Sequence, residues 1–199
     1  MKNLRSSRPA GRAALHSVLA RILSAAALAF SAQTAYAIDG MSINGGPDSS
    51  SHASVDLYRV GVQWKWDKRW FESSNWHLGG YWDLQAGYWD NSSPNRTNSG
   101  LWEAAFTPVF RIQQNHLSSI APYAEFGVGV HLLSETSVSE QRRFSTNFQF
   151  GSHVGIGVRF GENNAFEIGY RYQHISNAGI DHPNNGINFN ILHFGYWFK

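Results

Sequence analysis

From Tyr58 onward the chain alternates apolar with polar or small residues, one position at a time, and this period constrains the fold more than any other feature. Side chains of a β-strand point to opposite faces at successive residues, whereas a helix would repeat every 3.6. Tyr58, Val60, Val62, Trp64 and Trp66 alternate with Arg59, Gly61, Gln63 and Lys65. Trp76, Leu78, Trp82, Leu84, Ala86 and Tyr88 oppose His77, Gly79, Asp83, Gln85 and Gly87. Trp102, Ala104, Phe106, Pro108 and Phe110 alternate with Glu103, Thr107 and Arg111, and Pro108, which lacks a ladder donor, suggests a bulge. The same pattern runs from Ile120 to Leu132, Phe148 to Phe160, Phe166 to about Ile175 and Asn188 to Phe198.

Seven such segments in a chain with no apolar run long enough for a transmembrane helix point to an all-β fold. Bacterial single-chain barrels have even strand numbers, so Ile38 to Asn44 is assigned as a first strand. The fold expected is an eight-stranded antiparallel transmembrane up-and-down β-barrel. A soluble β-sandwich or lipocalin-like barrel would alternate too, with its apolar face inward, and periodicity alone does not tell inside from outside. Trp and Tyr gathered towards strand ends, and Phe194, Tyr196 and Phe198 closing the chain on one face, favour the membrane.

The first residues fit export. Met1 to Ala37 combines Lys2, Arg5, Arg8 and Arg12, an apolar stretch from Val18 to Phe30, and the small-x-small site Ala35-Tyr36-Ala37, the pattern of a cleaved signal peptide. Residues 38–199 then form one domain. Five of the 16 Lys and Arg and none of the 14 Asp and Glu lie in the leader, leaving 11 basic against 14 acidic groups. The basic character thus belongs to the leader, and no basic stripe with interleaved aromatics remains, so nucleic acid is not an expected partner. Cysteine is absent, which removes disulfides and thiolate chemistry. Gly155-x-Gly157 lacks the strand-to-helix phosphate loop of a nucleotide site.

With both termini periplasmic, the outward loops are roughly Gly45 to Ala53, Asp90 to Ser99, Ser134 to Asn147 and Ser176 to Ile187. The turns near Asp67 to Asn75, Gln113 to Ser119 and Gly161 to Ala165 are mostly shorter, as periplasmic turns are.

Chemistry-bearing residues stand on the greasy parity. His174 continues the face of Phe166, Ile168, Tyr170 and Tyr172, and extension carries it to Ser176. Asn188 and Asn190 share parity with Leu192, Phe194, Tyr196 and Phe198. Polar groups facing lipid are costly and are functional candidates by default. The loop from Ser176 to Ile187 makes the two strands neighbours, so His174, Ser176 and Asn188 converge at its base. A hydroxyl beside an imidazole oriented by a third group is the minimal apparatus of acyl transfer. The plainer alternative is two interfacial polar residues and a serine that starts a turn.

The run His174-Ile175-Ser176-Asn177-Ala178-Gly179, followed by Pro183-Asn184-Asn185-Gly186-Ile187, resembles the lipid A 3-O-deacylase family. Weaker agreement continues upstream in Tyr58-Arg59-Val60-Gly61, Gly80-Tyr81-Trp82-Asp83, Phe106-Thr107-Pro108-Val109-Phe110 and Glu125-Phe126-Gly127-Val128-Gly129-Val130, covering most of the chain after the leader. The resemblance implies an outer-membrane barrel with its active site on the outer wall. The implied activity is that of a carboxylic ester hydrolase releasing the 3-linked hydroxyacyl chain from the lipid A of lipopolysaccharide. It implies Ser176 as nucleophile, His174 as general base, and Asn184, with Asn177 and Gly179 nearby, for oxyanion and substrate binding. The departure is Asn188, where the family pattern has glutamate as third triad member. A neutral amide fixes the imidazole tautomer without stabilising the imidazolium by a full charge, so either the triad is weaker or Asp181 in the same loop substitutes.

No cofactor is expected, and His77, His131 and His153 stand on different strands without metal-ligand spacing. Two other functions remain open at this point: a non-catalytic barrel with surface-binding loops, and an outer-membrane acyltransferase, which needs a lumen wide enough for a lipid tail. A homodimer through the outer wall is also open, because lipid-facing and protein-facing membrane surfaces have similar compositions.

Overall fold

In β5 (Ile120–Leu133) every second side chain is buried and every other one exposed, without exception over fourteen residues. The same alternation organises β1 (Gly40–Pro47), β2 (Val55–Lys65), β3 (Trp76–Asn91), β4 (Gly100–Gln114), β8 (Phe148–Phe160), β9 (Phe166–Ser176) and β10 (Ile187–Trp197). A short hairpin, β6 (Ser137–Ser139) with β7 (Arg142–Arg143), lies in the loop between β5 and β8. The computed structural model describes residues 37–49, 54–116 and 118–198. The expected leader, apart from Ala37, lies outside them.

The eight long strands pair antiparallel, each with its neighbours in sequence around the wall, and β1 pairs with β10 to close the barrel. Closure leaves no sheet edge unpaired, as a spanning sheet in hydrocarbon requires. The eight-stranded antiparallel barrel expected from periodicity is the fold observed.

Burial settles which face is inside. Leu192, Ile156 and Val154 are 67%, 65% and 62% exposed, while Arg111 and Glu167 are 2% and 0% exposed. A soluble barrel would have the reverse. The outer wall is a band of Leu, Ile, Val and Phe, with Trp66, Trp82 and Phe110 packed edge to face near the short turns and Tyr88 against Trp102 nearer the loops. Inside, Arg59 makes two hydrogen bonds to Glu103, at 2.7 and 2.9 Å, and Glu103 also accepts from the Trp89 indole. Arg111 joins Glu125 and Glu167, each at 2.7 Å, and Arg171 pairs with Glu125 at 2.6 Å. Each of these charges has its partner within hydrogen-bond distance, and an unpaired ion in such an interior costs several kcal/mol. Cavities of about 10 and 40 Å³ remain there, room for about one water and a few, and none for an acyl chain.

Three local expectations need correction. Gly45 to Pro47 read as loop, yet they pair with Tyr58 to Asp56 and extend β1. Pro47 is tolerated as its last residue. Pro108 makes no bulge: the β4–β5 register is the same on both sides of it, and only the pairing at Thr107 and Pro108 lapses, while β3 keeps pairing past it. The inner face is not uniformly polar. At the loop end it is an apolar plug of Leu57, Trp89, Leu133, Ile175, Ile187 and Phe189, into which Val138 and Phe144 of the hairpin segment are packed.

Candidate active site

The long loop between β9 and β10 begins with a turn from Asn177 to Ile180, closed by the Ile180 N–H donating to the Asn177 carbonyl at 3.2 Å. Its central residues, Ala178 and Gly179, have φ of +55° and +79°, the succession a type I′ turn requires. Glycine takes such a backbone freely, whereas alanine is held there at a cost of about 1–2 kcal/mol. The wholly buried Asn177 ties the turn together. Its Oδ1 accepts from the Gly179 N–H at 2.9 Å, and its Nδ2 donates to the Asp181 carbonyl at 2.8 Å and to Ser145 Oγ at 2.7 Å.

Below the turn, Asn188 on β10 is the register partner of His174 on β9. Cross-strand partners carry their side chains on the same face of the sheet, here the outer one. Asn188 Oδ1 lies 2.6 Å from His174 Nδ1, and Ser176 Oγ lies 3.1 Å from His174 Nε2. With the amide oxygen facing Nδ1, the ring carries its proton on Nδ1 and leaves Nε2 to accept from the serine hydroxyl. The three residues that strand parity placed together are thus joined in one hydrogen-bonded line on the outside of the barrel. The arrangement can remove a proton from a hydroxyl at the membrane surface.

The surrounding residues divide. Asn184 Oδ1 accepts the Asn177 N–H at 3.1 Å, beside the serine, leaving the Asn184 NH2 as the end able to donate. The expectation that Gly179 and Asn177 serve an oxyanion does not fit their bonding: the Gly179 N–H is already given to Asn177 Oδ1, and the Asn177 amide is spent on the Asp181 carbonyl and Ser145 Oγ. The Ala178 N–H has no such partner among the described residues. Asp181 is not a substitute acid: its carboxylate accepts the His182 N–H at 2.8 Å, and no bond joins it to His174. Asn190 is satisfied on the lipid face by the Tyr170 hydroxyl at 2.5 Å.

Sequence reasoning missed the segment from Arg142 to Ser145, which lies beside this loop, and Gly186, which lies against the imidazole. The available signals were slight: an Arg-Arg pair within a polar loop, and a glycine in an Asn-Asn-Gly run that reads simply as a turn. Burial lowers the Arg142 pKa from the ordinary arginine value, and the Asp48 carboxylate works in the opposite direction.

Comparison with known proteins places the chain in a family. The family model described as lipid A 3-O-deacylase (PagL) matches residues 56–197. The lipid A deacylase PagL of Pseudomonas aeruginosa is 37% identical over 130 residues, covering 65% of this chain and 71% of the relative. The lipid A deacylase PagL of Bordetella bronchiseptica is 35% identical over 128 residues, covering 61% of this chain and 67% of the relative. Among solved structures, the crystal structure of the outer membrane enzyme PagL superposes with a TM-score of 0.70 at 32% identity, over 80% of this chain and 99% of that one. The match spans seven of the eight wall strands and the whole β9–β10 loop, and the chain belongs to the lipid A 3-O-deacylase (PagL) family.

Proposed function

We propose that the chain carries out the reaction for which its family is named, hydrolysis of the acyl ester at the 3-position of lipid A, with Ser176 as nucleophile. The observation that carries this reading is the bond from Ser176 Oγ to an imidazole displayed on the lipid-facing wall, where acyl chains of the outer leaflet lie. Ser176 Oγ attacks the ester carbonyl as its proton passes to His174 Nε2. The Asn184 NH2 stabilises the negative charge that develops on the carbonyl oxygen. His174 then protonates the departing sugar hydroxyl, leaving an acyl-enzyme on Ser176. A water, deprotonated by His174, attacks the acyl carbon, and the fatty acid leaves as Ser176 regains its proton. Asn188 holds the ring in the required tautomer throughout.

The barrel belongs to the outer membrane, and export through residues 1–37 with cleavage near Ala37 is part of the proposal, tested by N-terminal sequencing of the membrane-inserted protein. Two copies pairing through their outer walls would meet at the same apolar surface, which crosslinking in native membranes tests. The activity itself is tested by incubating the purified protein in detergent with lipid A and weighing the products. Loss of one hydroxyacyl mass, abolished by Ser176→Ala and by His174→Ala, is the expected result. An unchanged spectrum with the native protein overturns the reading in favour of a binding barrel, and a gain of mass in favour of acyl transfer.

A further inference from the structure

The β6–β7 hairpin is outside the barrel wall, and the reaction above makes no use of it. Yet four consecutive residues at its end each hold the loop that carries Ser176. Arg142 donates from its guanidinium to the Gly186 carbonyl. The Arg143 N–H donates to Asn185 Oδ1 at 3.2 Å, and its carbonyl accepts the Asn185 N–H at 3.4 Å. Phe144 forms an antiparallel bridge with Asn184, and Ser145 Oγ accepts from Asn177. The hairpin is itself anchored, by Val138 and Phe144 in the apolar plug and by the Asn91 and Asn98 amides on the Val138 and Ser137 carbonyls. A rigid element therefore grips the catalytic loop rather than waving above it.

Of these contacts, the one at Gly186 reaches the proposed chemistry. Gly186 has φ of +61°, and a Cβ built there would stand 2.9 Å from His174 Cε1 and 3.5 Å from His174 Nε2. The imidazole thus rests against the backbone of a glycine, a residue with no side chain to fix it and wide torsional freedom. Its neighbours Asn185 and Ile187 are held by Arg143 and by β9, and its own carbonyl is held by Arg142, a buried side chain on which the Asp48 carboxylate acts as an opposite charge.

We propose that Arg142 is a positioning residue for His174: by holding the Gly186 carbonyl it keeps the backbone against which the imidazole lies, and so holds Nε2 in line with Ser176 Oγ. This inference rests on the assignment of Ser176 and His174 as the reacting pair. It makes the hairpin a working part of the site, since a displacement of the base by about 1 Å can cost on the order of 100-fold in rate.

The experiment compares native protein, Arg142→Met, Arg142→Lys, Gly186→Ala and Ser176→Ala in lipid A deacylation, with the folded fraction of each read from the heat-dependent shift in gel mobility. Arg142→Met keeps the aliphatic stem and removes the donors. Its kcat is expected to fall about 10- to 100-fold with KM within about twofold of native, and Arg142→Lys, which restores one donor, to regain part of that loss. Gly186→Ala reaches the same contact from the other side and is expected to lower kcat in the same range with KM held, so the inference stays testable should Arg142→Met fail to fold. Unchanged kcat in folded Arg142→Met, or a rise in KM alone, overturns the positioning role while leaving the assignment of Ser176 intact. Retention of turnover by Ser176→Ala overturns that assignment, and this inference with it.

Discussion

Asn188 Oδ1 sits 2.6 Å from His174 Nδ1 across the β9–β10 ladder, so a neutral amide occupies the place from which a carboxylate would orient and support the imidazole. A hydrogen bond to a carboxylate is about twice as strong as one to a neutral acceptor, and it strengthens further as the ring becomes charged. Asn188→Glu is therefore expected to raise kcat by about tenfold, the rate equivalent of roughly 1.4 kcal/mol. Asn188→Ala is expected to lower it, because the ring loses its tautomer. Steady-state deacylation rates decide, and a steep fall in Asn188→Glu would mean that the site is tuned around the amide.

Asn184 and Asn177 hydrogen-bond to one another, yet they should respond differently to substitution. Removing the Asn184 amide is expected to lower kcat about 100-fold with little change in KM, the signature of a donor used chiefly in the transition state. Asn177→Ala removes two hydrogen bonds inside the loop, to the Gly179 N–H and the Asp181 carbonyl, and a third to Ser145 Oγ. It is expected to raise the loop's susceptibility to proteolysis as well as to lower activity. Limited proteolysis of the two variants beside their kinetics separates the roles.

The lumen offers a test of stability independent of the chemistry. Glu103 accepts from Arg59, Trp89 and His131 at once. Glu103→Ala leaves the Arg59 guanidinium buried with only Gln173 as acceptor, and a loss of about 3–5 kcal/mol is expected, measured as a lowered urea midpoint in lipid vesicles.

On the outer wall Leu192 is 67% exposed, and in water its replacement by arginine would be nearly neutral. In a bilayer the same substitution is expected to cost about 2–4 kcal/mol if the position lies near the midplane. Unchanged stability of Leu192→Arg in vesicles would place this face in contact with something other than lipid.

Once a segment is extended, period two assigns each side chain to one of two faces, and that rule was enough to put His174, Ser176 and Asn188 on one surface before any coordinates. It also gave seven of the eight wall strands, and the even strand number of bacterial barrels supplied the eighth. It did not reveal the extent of β1, because Gly45-Gly46-Pro47 carries turn residues that a neighbouring strand nevertheless pairs. The apolar plug was hidden for a related reason: Leu57, Ile175, Ile187 and Phe189 lie on the inward parity but lose their polar character only at the loop end, where no water-filled lumen needs lining.

The sequence by itself therefore determined the wall: which residues form strands, which share a face, and that a hydroxyl, an imidazole and an amide meet at one rim. Tertiary structure decided the rest. Alternation is symmetric between inside and outside, and only barrel closure, with Arg, Glu and His paired across the interior, breaks that symmetry. Contacts between loops follow no period, so the grip of Arg142 on Gly186 and the bond from Asn177 to Ser145 depend on how distant segments pack, which local pattern does not encode.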